Sequence, residues 1–343
     1  MQGCKNIKST MSIKRTIASM ASGFGAASVC ERLFQHSPRV IFFHGTTSKQ
    51  IVDKMPQACQ MHMEKFKTII LYLKSRGYNF ISADDLFEAY QGNKQLTSRD
   101  LLITFDDGYR NNYTDAAPFL AKERIPFMVF VCSGLVDNNE RISPYYLSAT
   151  VFNKRINKLE LPSLGQSHLL HNDGLRMQAY HWLFKILTTS PELVVRMMVD
   201  DFKAAIGEQE LARLKELHNT EDMMSWDEVS DIRNYGCTIA SHCVDHCVLH
   251  INQPDEEVRH QLADSKQMIE SHIGECRYFS FPNGARASVS EKAEMMAKEL
   301  FNLCYGVDSK YIHNYNSPSF VSRINACEDL SVFKSQLSIL SLI

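Results

Sequence analysis

The sequence predicts an α/β protein: a parallel sheet of about seven strands wrapped by helices, with a mostly helical stretch interrupting it. Three observations carry this. From residue 39 onward, short apolar runs alternate with amphipathic stretches, the mark of βα units. The runs at 101–105 and 126–132 are almost wholly apolar, as strands buried on both faces must be. Helix boundary signals stand at the junctions, with Ser82 and Asp85, and Ser225 and Glu228, spaced as capping boxes, and Gly77 and Gly274 at helix ends.

Residues 1–38 are set apart as a leader segment. Lys5, Lys8, Lys14 and Arg15 precede a small-residue stretch, 17–30, whose apolar character is broken by Ser19, Ser22, Gly23, Gly25 and Ser28. Such a stretch is too polar to span a bilayer and makes a poor export signal, so a cytoplasmic protein is expected, with export as the alternative. The domain proper runs from 39 to 343. Val40 to Phe43 forms the first strand and ends at His44-Gly45, and a helix is expected from about Cys59 to Arg76. Tyr78 to Ile81 is the second strand, followed by a helix ending near Gly92. Leu101 to Phe105 is the third and Pro126 to Cys132 the fourth, with a helix near 115–123 between them.

From about 137 to 224 the βα rhythm is lost, and helical patterns at 177–187 and 191–206 replace it. This is a mostly helical insertion, read as scaffolding, with a lid over the site as the alternative. The rhythm resumes with the helix opened by Ser225. Cys237 to Ala240, Tyr278 to Phe281 and Leu303 to Tyr305 are the fifth, sixth and seventh strands, separated by helices over 255–272 and 288–300.

Composition narrows the function. A chain of 343 residues, 44% hydrophobic, can bury a sizeable core, and a net charge of -2 gives no reason to expect nucleic acid or an acidic membrane as partner. The ten cysteines are scattered without a Cys-x-x-Cys pair, which points to reduced thiols.

Two motifs carry chemistry. The third strand ends in Asp106-Asp107-Gly108, so a buried strand delivers adjacent carboxylates to the rim of the core, where Gly108 allows a turn. Either the acids cap the next helix, or they serve a site where a metal relieves their mutual repulsion. Just past the fifth strand stand His242 and His246. In a continuing strand they would lie roughly 13 Å apart, and only a bend lets both reach one ion. Two histidines with a carboxylate, for which Asp107 is the natural choice, make the open three-ligand set of hydrolytic zinc centres and of non-haem iron oxygenases. The alternatives are surface loop histidines, or a site using Cys243 and Cys247 at the same spacing. His44, Asp106, Asp107, His242, His246 and Pro282 all fall at strand ends, where α/β sites form.

In order, Thr104-Phe105-Asp106-Asp107-Gly108, Ser241-His242-Cys243-Val244-Asp245-His246 and Phe281-Pro282-Asn283-Gly284 resemble the first three motifs of the polysaccharide deacetylases, carbohydrate esterase family four. The likeness extends from about Val40 to Ile324. It implies a distorted (β/α) barrel, a divalent metal that is usually zinc, and removal of N-acetyl groups from an amino-sugar glycan or glycan precursor. An O-acetyl esterase and a non-catalytic carbohydrate-binding relative are the alternatives. By the same resemblance Asp106 is the catalytic base, Asp107, His242 and His246 are the metal ligands, and Pro282 with the backbone N–H of Asn283 serves the substrate and its oxyanion. The chemistry is coherent, since zinc can lower the pKa of a water from ~15.7 to about 7 while a free carboxylate takes its proton. The chain departs from the family pattern in three places. Phe279-Ser280-Phe281 lack the arginine that often precedes the proline, Asn283 replaces a tyrosine, and no late Leu-x-His element supplies a general acid: 303–308 holds no histidine, and His313 lies in a polar loop. Some family members carry permuted motifs, and His44 then fills the acid's role from the first strand.

Overall fold

A computed structural model describes residues 38–49, 59–308, 312, 315 and 317–338; the leader segment before Pro38, and His313, lie outside the described residues. The strands are β1 (Arg39–Phe43), β2 (Gly45–Thr47), β3 (Gln60–His62), β4 (Asn79–Phe80), β5 (Asp100–Phe105) and β6 (Phe127–Val131), then β7 (Lys158–Leu161), β8 (Gln166–Leu169), β9 (Cys237–Ser241), β10 (Tyr278–Ser280), β11 (Leu303–Tyr305) and β12 (Ile324–Asn325). Seven of them run parallel in the order β11-β10-β9-β6-β5-β1-β12, with β4 added beside β5. They curl into a half-barrel with helices around it, a distorted (β/α) barrel as the motifs imply.

Strand parity sorts the side chains. Ile41, Phe43, Leu101, Ile103, Phe105, Phe127, Val129 and Val131 pack outward against the surrounding helices. Val40, Leu102, Met128, Phe130, Ala240, Tyr278, Leu303 and Tyr305 fill the concave face instead. Both faces are therefore apolar, which is why the central runs show no polar alternation.

The two ends of the curl are joined by the segment around Arg323. Val321 bridges β11 at Tyr305, with its N–H donating to the Cys304 carbonyl at 2.7 Å. A few residues on, Ile324 and Asn325 pair with Ile41 and Phe42 of β1.

Both expected capping boxes form: the Asp85 and Glu228 N–H groups donate to Ser82 and Ser225 Oγ, and both carboxylates return the bond. The helix expected from Cys59 starts only at Met63, because Gln60–His62 is drawn into a parallel ladder with Gly45–Thr47, a long-range pairing that local periodicity cannot register. The helix expected from Ser288 likewise starts at Glu291, capped by Ser290. Between β6 and β9 stand the helices Ser143–Val151, Asp173–Leu187, Glu192–Ile206 and Glu208–Leu217, which share an apolar cluster built on Tyr146, Leu183, Met198 and Phe202. The antiparallel β7–β8 ladder in this stretch was not expected from its helical pattern. Among the described residues no helix is long and apolar enough to cross a membrane, and no disulfide forms.

Candidate active site

Asp106 follows Leu102 and Thr104 in the inward row of β5 and stays on the concave side. Asp107 cannot continue that alternation, because its backbone swings into the left-handed region with φ 73°, and Gly108 follows at φ 82°. A Cβ on Gly108 would lie 3.0 Å from Val131 Cγ1 and 3.2 Å from its Cα, so both the angle and the neighbour require glycine. The turn therefore sends two adjacent carboxylates to different partners.

Asp107 faces the histidines. His242 leaves β9 with its N–H bonded to the Val131 carbonyl at 2.9 Å. Left-handed Cys243 (φ 65°) and His246 (φ 61°) then bend the chain until the two imidazole centroids are 5.2 Å apart. Asp107 Oδ1 lies 3.5 Å from His242 Nε2 and 3.4 Å from His246 Nε2. Left-handed backbone is costly for such residues, and three of the eight non-glycine residues that adopt it among the described residues, Asp107, Cys243 and His246, lie at this trio.

The protonation of this trio follows from its surroundings. His242 Nδ1 sits 2.7 Å from the Ser280 carbonyl, which can only accept, so Nδ1 bears a hydrogen and Nε2 is the atom left to face Asp107. Burial lowers His246 to about 4 against the pull of Asp107, leaving it neutral at pH 7. Burial would push the Asp107 carboxyl up, but His242, His246 and His44 outweigh it and hold it well below the usual carboxylate range. Three atoms of ligand type, one from each residue, converge within 4.8 Å of one another, and Asp107 Oδ1 is buried with no hydrogen-bond partner among the described residues. That donor set fits a divalent cation, and two imidazoles with one carboxylate leave positions open for substrate and water.

Asp106 has a different partner, one that the sequence did not reveal. Arg323, fully buried, donates from both terminal nitrogens to the Asp106 oxygens, at 2.6 and 2.8 Å. It also bonds Ser280 Oγ at 2.7 Å and the Gly306 carbonyl at 3.2 Å, and its guanidinium lies over the rings of Phe42 and Phe130. Ser280 stands two residues before Pro282, within the stretch that lacks the arginine. Its short side chain leaves room for a guanidinium arriving from the segment that joins the two ends of the curl. Burial raises the Asp106 carboxyl, but Arg323, with His242 and His44, outweighs burial, and the net shift is downward.

His44, half-buried at the end of β1, stands near enough for its charge to act on Asp106, Asp107 and His246. Pro282 is buried behind β10, and Asn283 is exposed in the following turn at φ 54°. Cys243 and Cys247 do not join the trio: both are buried in the apolar core, with each Sγ near a backbone carbonyl.

The site is thus a curled parallel β/α sheet that carries, at its strand ends, one carboxylate set beside two imidazoles and a neighbouring carboxylate bound to an arginine. The family model described as polysaccharide deacetylase matches residues 93–300, and the chain belongs to that family. Its fold is similar to three solved structures. One is IcaB from Ammonifex degensii, at TM-score 0.55 and 16% identity, covering 88% of this chain and 97% of that one. The Streptococcus pyogenes deacetylase PplD in complex with acetate gives TM-score 0.56 and 14% identity over 88% and 99% of the two chains. A de-N-acetylase from Aggregatibacter actinomycetemcomitans gives 0.55 and 16% over 87% and 99%. No curated protein matches the chain in sequence.

Proposed function

We propose that the protein is a metal-dependent hydrolase that removes N-acetyl groups from an amino-sugar glycan or glycan precursor, in polysaccharide or cell-envelope metabolism. The observation that carries this reading is the division between adjacent carboxylates, Asp107 set among imidazole lone pairs and Asp106 held apart on Arg323. The names of the similar structures agree, one a de-N-acetylase and another a deacetylase in complex with acetate.

In this reading Asp107, His242 and His246 hold the ion, which we assign as zinc. When bound, it supplies Lewis acidity, lowering the pKa of a water and polarising the acetyl carbonyl. Asp106, kept ionised and oriented by Arg323, accepts the water's proton. The Asn283 N–H donates to the developing oxyanion, Pro282 shapes the turn beside it, and His44 delivers a proton to the departing amine.

The direct test is metal analysis with an acetate-release assay on an N-acetylated amino-sugar oligomer. About one divalent ion per chain is expected, with activity lost on chelation and restored by zinc. A metal-free protein, or one that releases no acetate, overturns the reading.

His44→Ala should lower turnover of the amide by about 10²-fold or more with metal content unchanged. An aryl acetate, whose leaving group departs without a proton, should suffer far less. Equal losses on amide and ester would make His44 a packing or binding residue.

A further inference from the structure

Two buried asparagines at the start of the helix that follows Asp107 and Gly108 have no part in the chemistry above. Their amides grip the chain on either side of Gly45, immediately after His44. Asn112 Nδ2 donates to the His44 carbonyl at 2.8 Å, and Asn111 Oδ1 accepts from the Thr46 N–H at 3.1 Å. Asn111 Nδ2 then donates twice, to Gln60 Oε1 on β3 at 2.7 Å and to the Thr220 carbonyl at 3.0 Å. Thr220 belongs to the turn that ends the run of helices between β6 and β9. One amide therefore joins the chain after the proposed acid, the start of the helix behind the carboxylates, the β2–β3 ladder and the helical stretch.

Two further features show that this junction is built closely. A Cβ on Gly45 would fall 1.9 Å from Gln60 Oε1, so the Gln60 amide crosses the bare backbone to reach Asn111. Beside it the backbone is laced directly, with the Arg110 N–H donating to the Asp222 carbonyl at 2.7 Å and the Met224 N–H to the Gly108 carbonyl at 3.1 Å.

We propose that Asn111 is a positioning residue for His44, fixing the strand end that presents the imidazole and making the helical stretch part of the site's rigid frame rather than a lid. The proposal rests on His44 acting as the acid. A proton donor must lie within hydrogen-bond reach of the departing nitrogen, and a misplacement of about 1 Å can cost 10²-fold in rate. Asn111 bonds the Thr46 N–H, Gln60 and the Thr220 carbonyl, and of the proposed catalytic groups the strand end bearing His44 is the one it holds directly, so its effect should fall chiefly on proton delivery.

The test compares Asn111→Ala and Asn111→Asp on the zinc-loaded protein with an N-acetylated amino-sugar oligomer and with an aryl acetate. The aspartate keeps an acceptor for the Thr46 N–H but sets an oxygen against Gln60 Oε1 and the Thr220 carbonyl. Both variants should lose about tenfold or more in kcat on the amide, with zinc content and KM unchanged, and much less on the ester. If the alanine variant does not fold, the aspartate variant carries the comparison. Equal losses on amide and ester, or full amide turnover by Asn111→Asp, would overturn the proposal. His44→Ala, measured alongside, separates the two failures. If it does not distinguish amide from ester, the acid assignment falls and this proposal with it; if it does and the Asn111 variants do not, only this proposal falls.

Discussion

Asp106→Asn should bind zinc as the parent does and turn over N-acetylated substrate roughly 10²–10⁴-fold more slowly, the usual contribution of a positioned base. The amide side chain keeps the shape and one acceptor for Arg323 but has no basic oxygen to take a proton, and it leaves the buried guanidinium without its counter-charge, so the variant is also expected to unfold more easily. Asp107→Asn should behave differently, because it removes the charge from the donor set and so weakens metal binding first. Zinc titration beside single-turnover kinetics separates the two. Equal metal loss in both variants would show that the roles are divided wrongly.

Arg323→Met should be the most destabilising change in the site. Removing one partner of a buried ion pair leaves the other uncompensated, at a cost of about 3–5 kcal/mol. Its pH dependence has a definite sign. The Asp106 carboxyl lies below its ordinary value, so the pair contributes stability above roughly pH 4 that is lost as the pH falls through the lower folded-state value. Without Arg323, burial dominates and pushes the carboxyl up, so the variant gains relative to the parent as acid neutralises Asp106. Urea unfolding should therefore show a larger deficit at pH 7 than near pH 3. Asp106→Asn combined with Arg323→Met should recover part of the loss, and a strictly additive double variant would deny the coupling.

Much of this was readable from local sequence. Seven of the eight main-sheet strands announce themselves as apolar runs, and the capping boxes at Ser82 and Ser225 mark helix starts correctly because capping is a contact between near neighbours. The gathering of Asp107 with two histidines was anticipated by the need for a bend between His242 and His246. What stayed hidden depends on distant partners. β12 is only two residues long, inside Ser322-Arg323-Ile324-Asn325-Ala326, and nothing local distinguishes it from a loop. β3 was absorbed into a helix because its pairing partner, β2, lies across an intervening segment. Arg323 also lies outside the family match over 93–300, as does His44. One clue was present: Phe279-Ser280-Phe281 lack the arginine that often precedes the proline, although nothing local pointed to Arg323.

The closing segment ties the site to the order in which the chain folds. Asp106 and its guanidinium partner are 217 positions apart in sequence, so a ribosome releases β5, β6 and β9 well before it delivers Arg323. Until then only His44 and His242 offset the burial of that carboxylate, and an Asp106 not yet paired is cheapest left protonated or solvated. Arrival of the arginine supplies the counter-charge that makes burial of the ionised carboxylate tolerable. Such long-range contacts are slow to form, which makes maturation of the catalytic centre a late event, sensitive to acidity in a way that the earlier assembly of the sheet is not.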